Sequence, residues 1–217
     1  MTNLNLGGNE FKNVKNIIFD LGGVIVDIDF HLTINAFKKL GIEEFDKIFT
    51  QFKQSVLFDK LDKGLVSPDE FRKGIRDITG VAISDIDFDK AWNAMLLDIP
   101  AKRIQVLQDL KSKYATFLLS NTNEIHLDFF FNKVKKEHRI NEFASLFHKA
   151  YYSCRIGMRK PDAEIYSNVL IENNLIPSET LFIDDLDLNV EAAKSLGIHG
   201  YIMKKTDELS VLFKENI

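Results

Sequence analysis

Residues 19–29 read FDLGGVIVDID, and this stretch decides the fold. The run before it, NIIF (16–19), is apolar at every position but the first and stops on a carboxylate, Asp20. Gly22 and Gly23 follow, then a second apolar run, then Asp27 and Asp29 on either side of Ile28. A short unbroken apolar run bounded by turn residues reads as a fully buried strand. In an open parallel sheet, ligands bind outside the carboxyl ends of the strands, where Asp20 would stand.

Three more runs of this kind appear further along: ATFLLSN (115–121), TLFIDD (180–185) and GYIM (200–203). Helical periodicity separates them, over 100–114, 163–174 and 189–197, the last closed by Gly197 in a cap position. Strands alternating with helices predict an α/β fold, a Rossmann-like parallel sheet with helices on both faces. Residues 28–99 break the alternation. They carry four helical segments, NAFKKLG, EEFDKIFTQFKQ, SPDEFRKGIRDITG and FDKAWNAMLL, and no convincing strand. The third opens on Ser67, Pro68 and Glu70, a capping box with proline at the first helical position. The expected organisation is a catalytic core of 1–27 plus 100–217, with 28–99 inserted as an all-helical cap.

Composition narrows the function. The 217 residues are 45% hydrophobic and 28% charged, a globular balance with enough apolar material for a real core. Cys154 is the only cysteine, so no internal disulfide forms, and the expected location is cytoplasmic. No run approaches the ~18 apolar residues of a membrane span, and the first residues carry no export pattern. The net charge is −4, and the densest basic patch, KVKKEHR (133–139), reads as a solvated helix end. Neither nucleic acid nor membrane is an expected partner.

Three predicted strands end on polar groups: Asp20, then Ser120 and Asn121, then Asp184 and Asp185. Lys160, in GMRKPD, precedes a helix start. Carboxylates that meet at one edge repel unless a proton or cation lies between them. Oxygen-only ligands suit Mg²⁺, which takes one or two carboxylates plus a substrate phosphate. A nearby ammonium suits a phosphoryl group, and a carboxylate can attack phosphorus to give an aspartyl-phosphate. The residues alone point to Mg²⁺-assisted phosphoryl transfer.

FDLGGVIVD, LLSNTN, GMRKPD and FIDDLDLNVEAAKSLGI resemble, in order and approximate spacing, the four motifs of the haloacid dehalogenase-like hydrolases with a helical cap. The match runs from Val14 to Met203 and is especially similar to the bacterial glucose-1-phosphate phosphatases of that family. The resemblance implies Asp20 as nucleophile and metal ligand, with Gly22 offering its carbonyl to the metal. It implies Ser120 and Asn121 on the phosphate, and Lys160 balancing charge beside it. Asp185 becomes a metal ligand, supported by Asp184 and Asn189. The implied substrate is a small phosphorylated metabolite, such as glucose 1-phosphate, and the implied assembly a monomer or homodimer.

One position departs from the family pattern. Most phosphatases of the family have a second aspartate two residues after the nucleophile as general acid and base, and here it is Gly22. That help is typically worth about 10² to 10⁴ in rate. Asp27 and Asp29 fall on one side of an extended segment and are candidates for a supporting role only, as a substitute acid or a contact to a sugar hydroxyl. His126 reads as a helix-capping or solvated residue with substrate contact as the alternative, Trp92 as core, and Cys154 as a structural thiol. Two rivals to the phosphatase stand: a haloacid dehalogenase, and a catalytically weak phosphate-binding regulator.

Overall fold

The computed structural model describes residues 11, 13–53 and 56–214. The amino-terminal residues read for an export pattern lie outside that range. Five parallel strands form one sheet in the order β3-β2-β1-β4-β5: β1 (Asn16–Phe19), β2 (Ala115–Ser120), β3 (Lys149–Tyr152), β4 (Thr180–Asp184) and β5 (His199–Ile202). β1 is central, pairing Asn16 with Ala115 on one side and Thr180 on the other. Its side chains alternate between the faces. Ile17 and Phe19 join one apolar cluster and Ile18 the other, all at 0% exposure, which is why the strand reads as an unbroken apolar run.

The helices follow from the same periodicities. On the core they are α6 (Ala101–Lys111), α7 (Glu124–His138), α8 (Ser153–Ile156), α9 (Ala163–Glu172), α10 (Asp187–Ser195) and α11 (Leu209–Leu212). Before them come α1 (Phe30–Lys39), α2 (Phe45–Lys53), α3 (Val56–Asp62), α4 (Pro68–Thr79) and α5 (Asp85–Asn93). Among the described residues the inserted unit thus has five helices where sequence periodicity gives four, because α3 follows α2 with almost no punctuation in the sequence. The β3 strand was also not evident, since KAYY is a four-residue edge strand beginning on an exposed lysine.

The helical unit has its own aromatic centre. Trp92, 3% exposed, lies 5.0 Å from Phe71 and 5.4 Å from Phe58 by ring centroids. Helix α4 starts as expected: Ser67 Oγ accepts from the Glu70 amide at 3.2 Å, and Glu70 Oε2 accepts from the Ser67 amide at 2.7 Å. Two extended segments join the unit to the sheet, bridged antiparallel at Ile28 and Leu96. The Leu97 amide donates to Asp27 O at 3.0 Å and the Asp29 amide to Met95 O at 3.0 Å.

Arg103, 5% exposed, braces this junction from α6. It donates to Asp27 Oδ1 at 2.7 Å, to the Ile25 carbonyl at 3.2 Å and to Glu208 at 2.8 Å. The basic patch at 133–139 ends α7, with Lys133 paired to Asp98 and Glu137. Among the described residues no helix is long and apolar enough to cross a membrane.

Candidate active site

The carboxyl ends of β1, β2 and β4 converge because these strands are neighbours in register. Asp20, 8% exposed, follows β1 and donates its amide to Ile183 O at 2.8 Å, fixing its backbone to β4. Asp184 ends β4 at 0% exposure, and Ser120 ends β2 at 2%. Between the two acids sits Lys160, 1% exposed, with Nζ 2.7 Å from Asp20 Oδ1 and 2.6 Å from Asp184 Oδ2.

Asp184 has little capacity left. Its Oδ1 accepts from the Leu186 amide at 2.9 Å and from Asn189 Nδ2 at 3.0 Å, while Oδ2 accepts from Lys160. Asn189, in the first turn of α10, thus fixes the Asp184 carboxylate, and Asp184 holds the lysine in place. Asn121 does the same from the other side. Its Nδ2 donates to the Lys160 carbonyl at 2.8 Å, and its Oδ1 accepts from the Lys160 amide at 2.9 Å. The side chain expected on phosphate is committed to Lys160, which leaves the Asn121 main chain for an anion.

Burial dominates the electrostatics. It pushes the Asp20 carboxyl up to about 7, with Asp184 adding to the rise and Lys160 opposing it. Burial alone would lower the Lys160 ammonium, but Asp20 and Asp184 override that and hold it above the usual lysine value. This buried ammonium balances two acids, and the third, Asp185, is exposed beside them.

Carboxylate oxygens of Asp20, Asp184 and Asp185 lie within 4.8 Å of one another, an all-oxygen set that fits a hard divalent cation. The loop after Asp20 is shaped around Asp185. Gly23 has φ +73, and a Cβ there would stand 2.4 Å from Asp185 Oδ2, so only glycine lets the loop pass. At Gly22 a Cβ would stand 2.4 Å from Ile28 Cδ1. The space an acid at that position would take is held by Ile28.

Asp27 and Asp29, expected together on one side of the strand, engage different elements. Asp27 is paired to Arg103, and Asp29 caps α1, its Oδ1 accepting from the His31 amide at 2.9 Å. Each has a structural partner that the alternation of charges did not reveal. His126 stands one turn into α7, where Asn123 Oδ1 accepts its amide hydrogen at 3.1 Å. Its ring stacks on Trp92 with centroids 5.2 Å apart, joining α7 to the helical unit.

Ser153 was missed altogether. At 0% exposure its Oγ accepts from the Thr122 amide at 2.9 Å and donates to Thr122 O at 3.0 Å, pinning the loop after Ser120 to α8. A serine in YYSCR carries no sequence signal for that task. The brace at Arg103 was likewise illegible, because its partners lie 76 and 105 residues away.

Fold and site together define an α/β enzyme with a strand-end aspartate, a buried lysine and an acidic cation site at one sheet edge. The chain belongs to the haloacid dehalogenase-like hydrolases, whose family model matches residues 14–197. It is 34% identical over 192 residues to the D-ribitol-5-phosphate phosphatase of Bacteroides thetaiotaomicron, covering 87% of this chain and 91% of that protein. Among solved structures, it is similar to a haloacid dehalogenase-family enzyme of the same organism, an aspartate-to-alanine variant in complex with magnesium and inorganic phosphate. The TM-score is 0.87 at 37% identity, with 92% of this chain and 98% of that one covered. A predicted hydrolase of Porphyromonas gingivalis matches at TM-score 0.81 and 31% identity, over 90% of this chain and 93% of that one.

Proposed function

We propose that the chain is a Mg²⁺-dependent phosphatase of a small phosphorylated polyol or sugar, acting through an aspartyl-phosphate on Asp20. The observation that carries this reading is Lys160, held between Asp20 and Asp184 with Asp185 alongside. The relative that hydrolyses D-ribitol 5-phosphate supports a five-carbon polyol phosphate as first candidate, with glucose 1-phosphate as second.

Asp20 Oδ1 accepts from Lys160, so Oδ2 is the oxygen left to attack phosphorus. The phosphoryl group passes to Asp20, the leaving-group oxygen departs and takes a proton, and water then cleaves the acyl phosphate to free phosphate and Asp20. Lys160 stays at the transferring oxygens and offsets the charge they gather. Ser120 and the main chain at Asn121 orient the same oxygens. Asp20, Asp185 and the Gly22 carbonyl would hold Mg²⁺, which supplies charge neutralisation on the phosphate. The helical unit, residues 28–99, serves as the cap that covers the substrate and excludes bulk water.

With glycine at position 22, no carboxylate is available there as an acid. The reading therefore favours leaving groups that need little protonation, or a proton supplied by solvent. Phosphate release from a panel of phosphorylated polyols and sugars, with and without Mg²⁺, tests it. Turnover of ribitol 5-phosphate or glucose 1-phosphate only with Mg²⁺ is expected, whereas metal-independent chloride release from 2-chloropropionate would place the chain with the dehalogenases.

A further inference from the structure

His126 occupies a position that the phosphatase chemistry does not use. It lies six residues beyond Ser120, in the first turn of α7, where the N-cap Asn123 accepts its amide hydrogen and ties its backbone to the loop that would receive phosphate. Its ring reaches the helical unit instead, so it stands where core and unit meet.

The ring is held in one orientation. Nδ1 is 2.7 Å from Asn93 Oδ1, an oxygen that only accepts, so Nδ1 carries the proton and Nε2 presents a lone pair. The stacking on Trp92, 2° from parallel, fixes the ring plane. Burial pushes the imidazole down to about 3, so the ring is neutral at working pH and is not the missing proton donor. What remains is a fixed acceptor.

The surroundings of the ring set that acceptor apart. Ile125, Leu127, Trp92 and Asn93 around it are buried, while His126 is partly exposed and its Nε2 has no hydrogen-bond partner among the described residues. Trp92 Nε1, in the stacked partner, is a buried N–H with no acceptor. The other rings around Trp92 are Phe37, Phe49, Phe58, Phe71 and Phe88, and a sixth phenylalanine would serve packing alone. A neutral acceptor fixed in orientation and partly exposed matches a hydroxyl donor.

We propose that His126 Nε2 accepts a hydrogen bond from a leaving-group hydroxyl, making His126 a specificity-determining residue for polyol and sugar phosphates over esters without hydroxyls. The inference rests on the phosphatase reading. A site that hydrogen-bonds a substrate hydroxyl discriminates strongly against analogues lacking it, because its own polar groups are then left unpaired.

The test compares wild type, His126→Phe, His126→Asn and His126→Gln with Mg²⁺. Each is assayed on p-nitrophenyl phosphate, which has no hydroxyl, and on ribitol 5-phosphate or glucose 1-phosphate, whichever wild type turns over faster. His126→Phe is expected to raise KM for the hydroxylated ester roughly 3- to 10-fold, the effect of one hydrogen bond, and leave p-nitrophenyl phosphate unchanged. His126→Gln, whose amide reaches the place of Nε2, retains the preference; His126→Asn, too short, loses it. If His126→Phe does not fold, His126→Asn is read in its place. Equal changes on both esters, or none on either, overturn the inference. Wild type that hydrolyses p-nitrophenyl phosphate without preferring the hydroxylated ester sinks the inference alone, and wild type inert towards both sinks the phosphatase reading with it.

Discussion

Asn121 and Lys160, 39 residues apart, hold each other by two hydrogen bonds that run between the asparagine amide and the lysine main chain, at 2.8 and 2.9 Å. The ammonium that bridges Asp20 and Asp184 is therefore set by a residue at the end of a different strand.

Asn121→Ala removes both bonds and leaves the Lys160 amide and carbonyl without them. A misplaced catalytic group costs on the order of 10²-fold, so kcat on the best substrate is expected to fall by about that much. Loss of two hydrogen bonds should also cost about 1–3 kcal/mol of stability in urea denaturation. Unchanged kcat would show that Lys160 finds its place without Asn121.

Gly23→Ala places a Cβ against Asp185 at a positive φ. The loop must shift or Asp185 must turn away. The Mg²⁺ concentration for half-maximal activity is expected to rise, with the variant less stable by about 1 kcal/mol from the backbone alone. An unaltered metal requirement would separate Asp185 from metal binding.

The packing of the His126 ring against Trp92 has a pH consequence. Burial holds the folded imidazole near 3, while the unfolded chain takes up its proton near the ordinary value of 6.5. Below 6.5 the unfolded state binds more protons, so this group's contribution to stability is lost as pH falls from 6.5 towards 3. Urea midpoints should fall from pH 7 to pH 4.5 by more in wild type than in His126→Phe. Trp92, the single tryptophan and the ring on which His126 stacks, provides the fluorescence signal. Parallel acid profiles for the two proteins would contradict this.

Cys154 is expected to be inert. Burial and the neighbouring Glu124 carboxylate push its thiol up to about 12, and Sγ lies 3.7 Å from Glu124 Oε1. Alkylation by iodoacetamide at pH 8 should be far slower than for glutathione and should accelerate as pH rises above 10. Labelling at the glutathione rate would show a thiol open to solvent.

What the sequence disclosed and what it withheld divide along physical lines. β1, β2 and β4 are legible because burial on both faces demands apolar runs, and their polar ends mark the site. β3, at the sheet edge, carries no such demand. Asp20, Lys160 and Asp184 stand at strand ends or beside a helix start, places where sequence pattern marks chemistry. Asn121's grip on Lys160, Arg103's brace on Asp27 and the stacking of His126 on Trp92 depend on long-range contacts that no local pattern encodes. Asp27 and Asp29 show the converse: a regular alternation of charges that resolves into an ion pair and a helix cap.

The central claim is that Asp20 attacks phosphorus, and Asp20→Asn tests it most directly. Phosphate release with Mg²⁺ from the substrate that wild type turns over best should be lost entirely in a variant that still folds by circular dichroism. Substantial residual turnover by folded Asp20→Asn would contradict the covalent route.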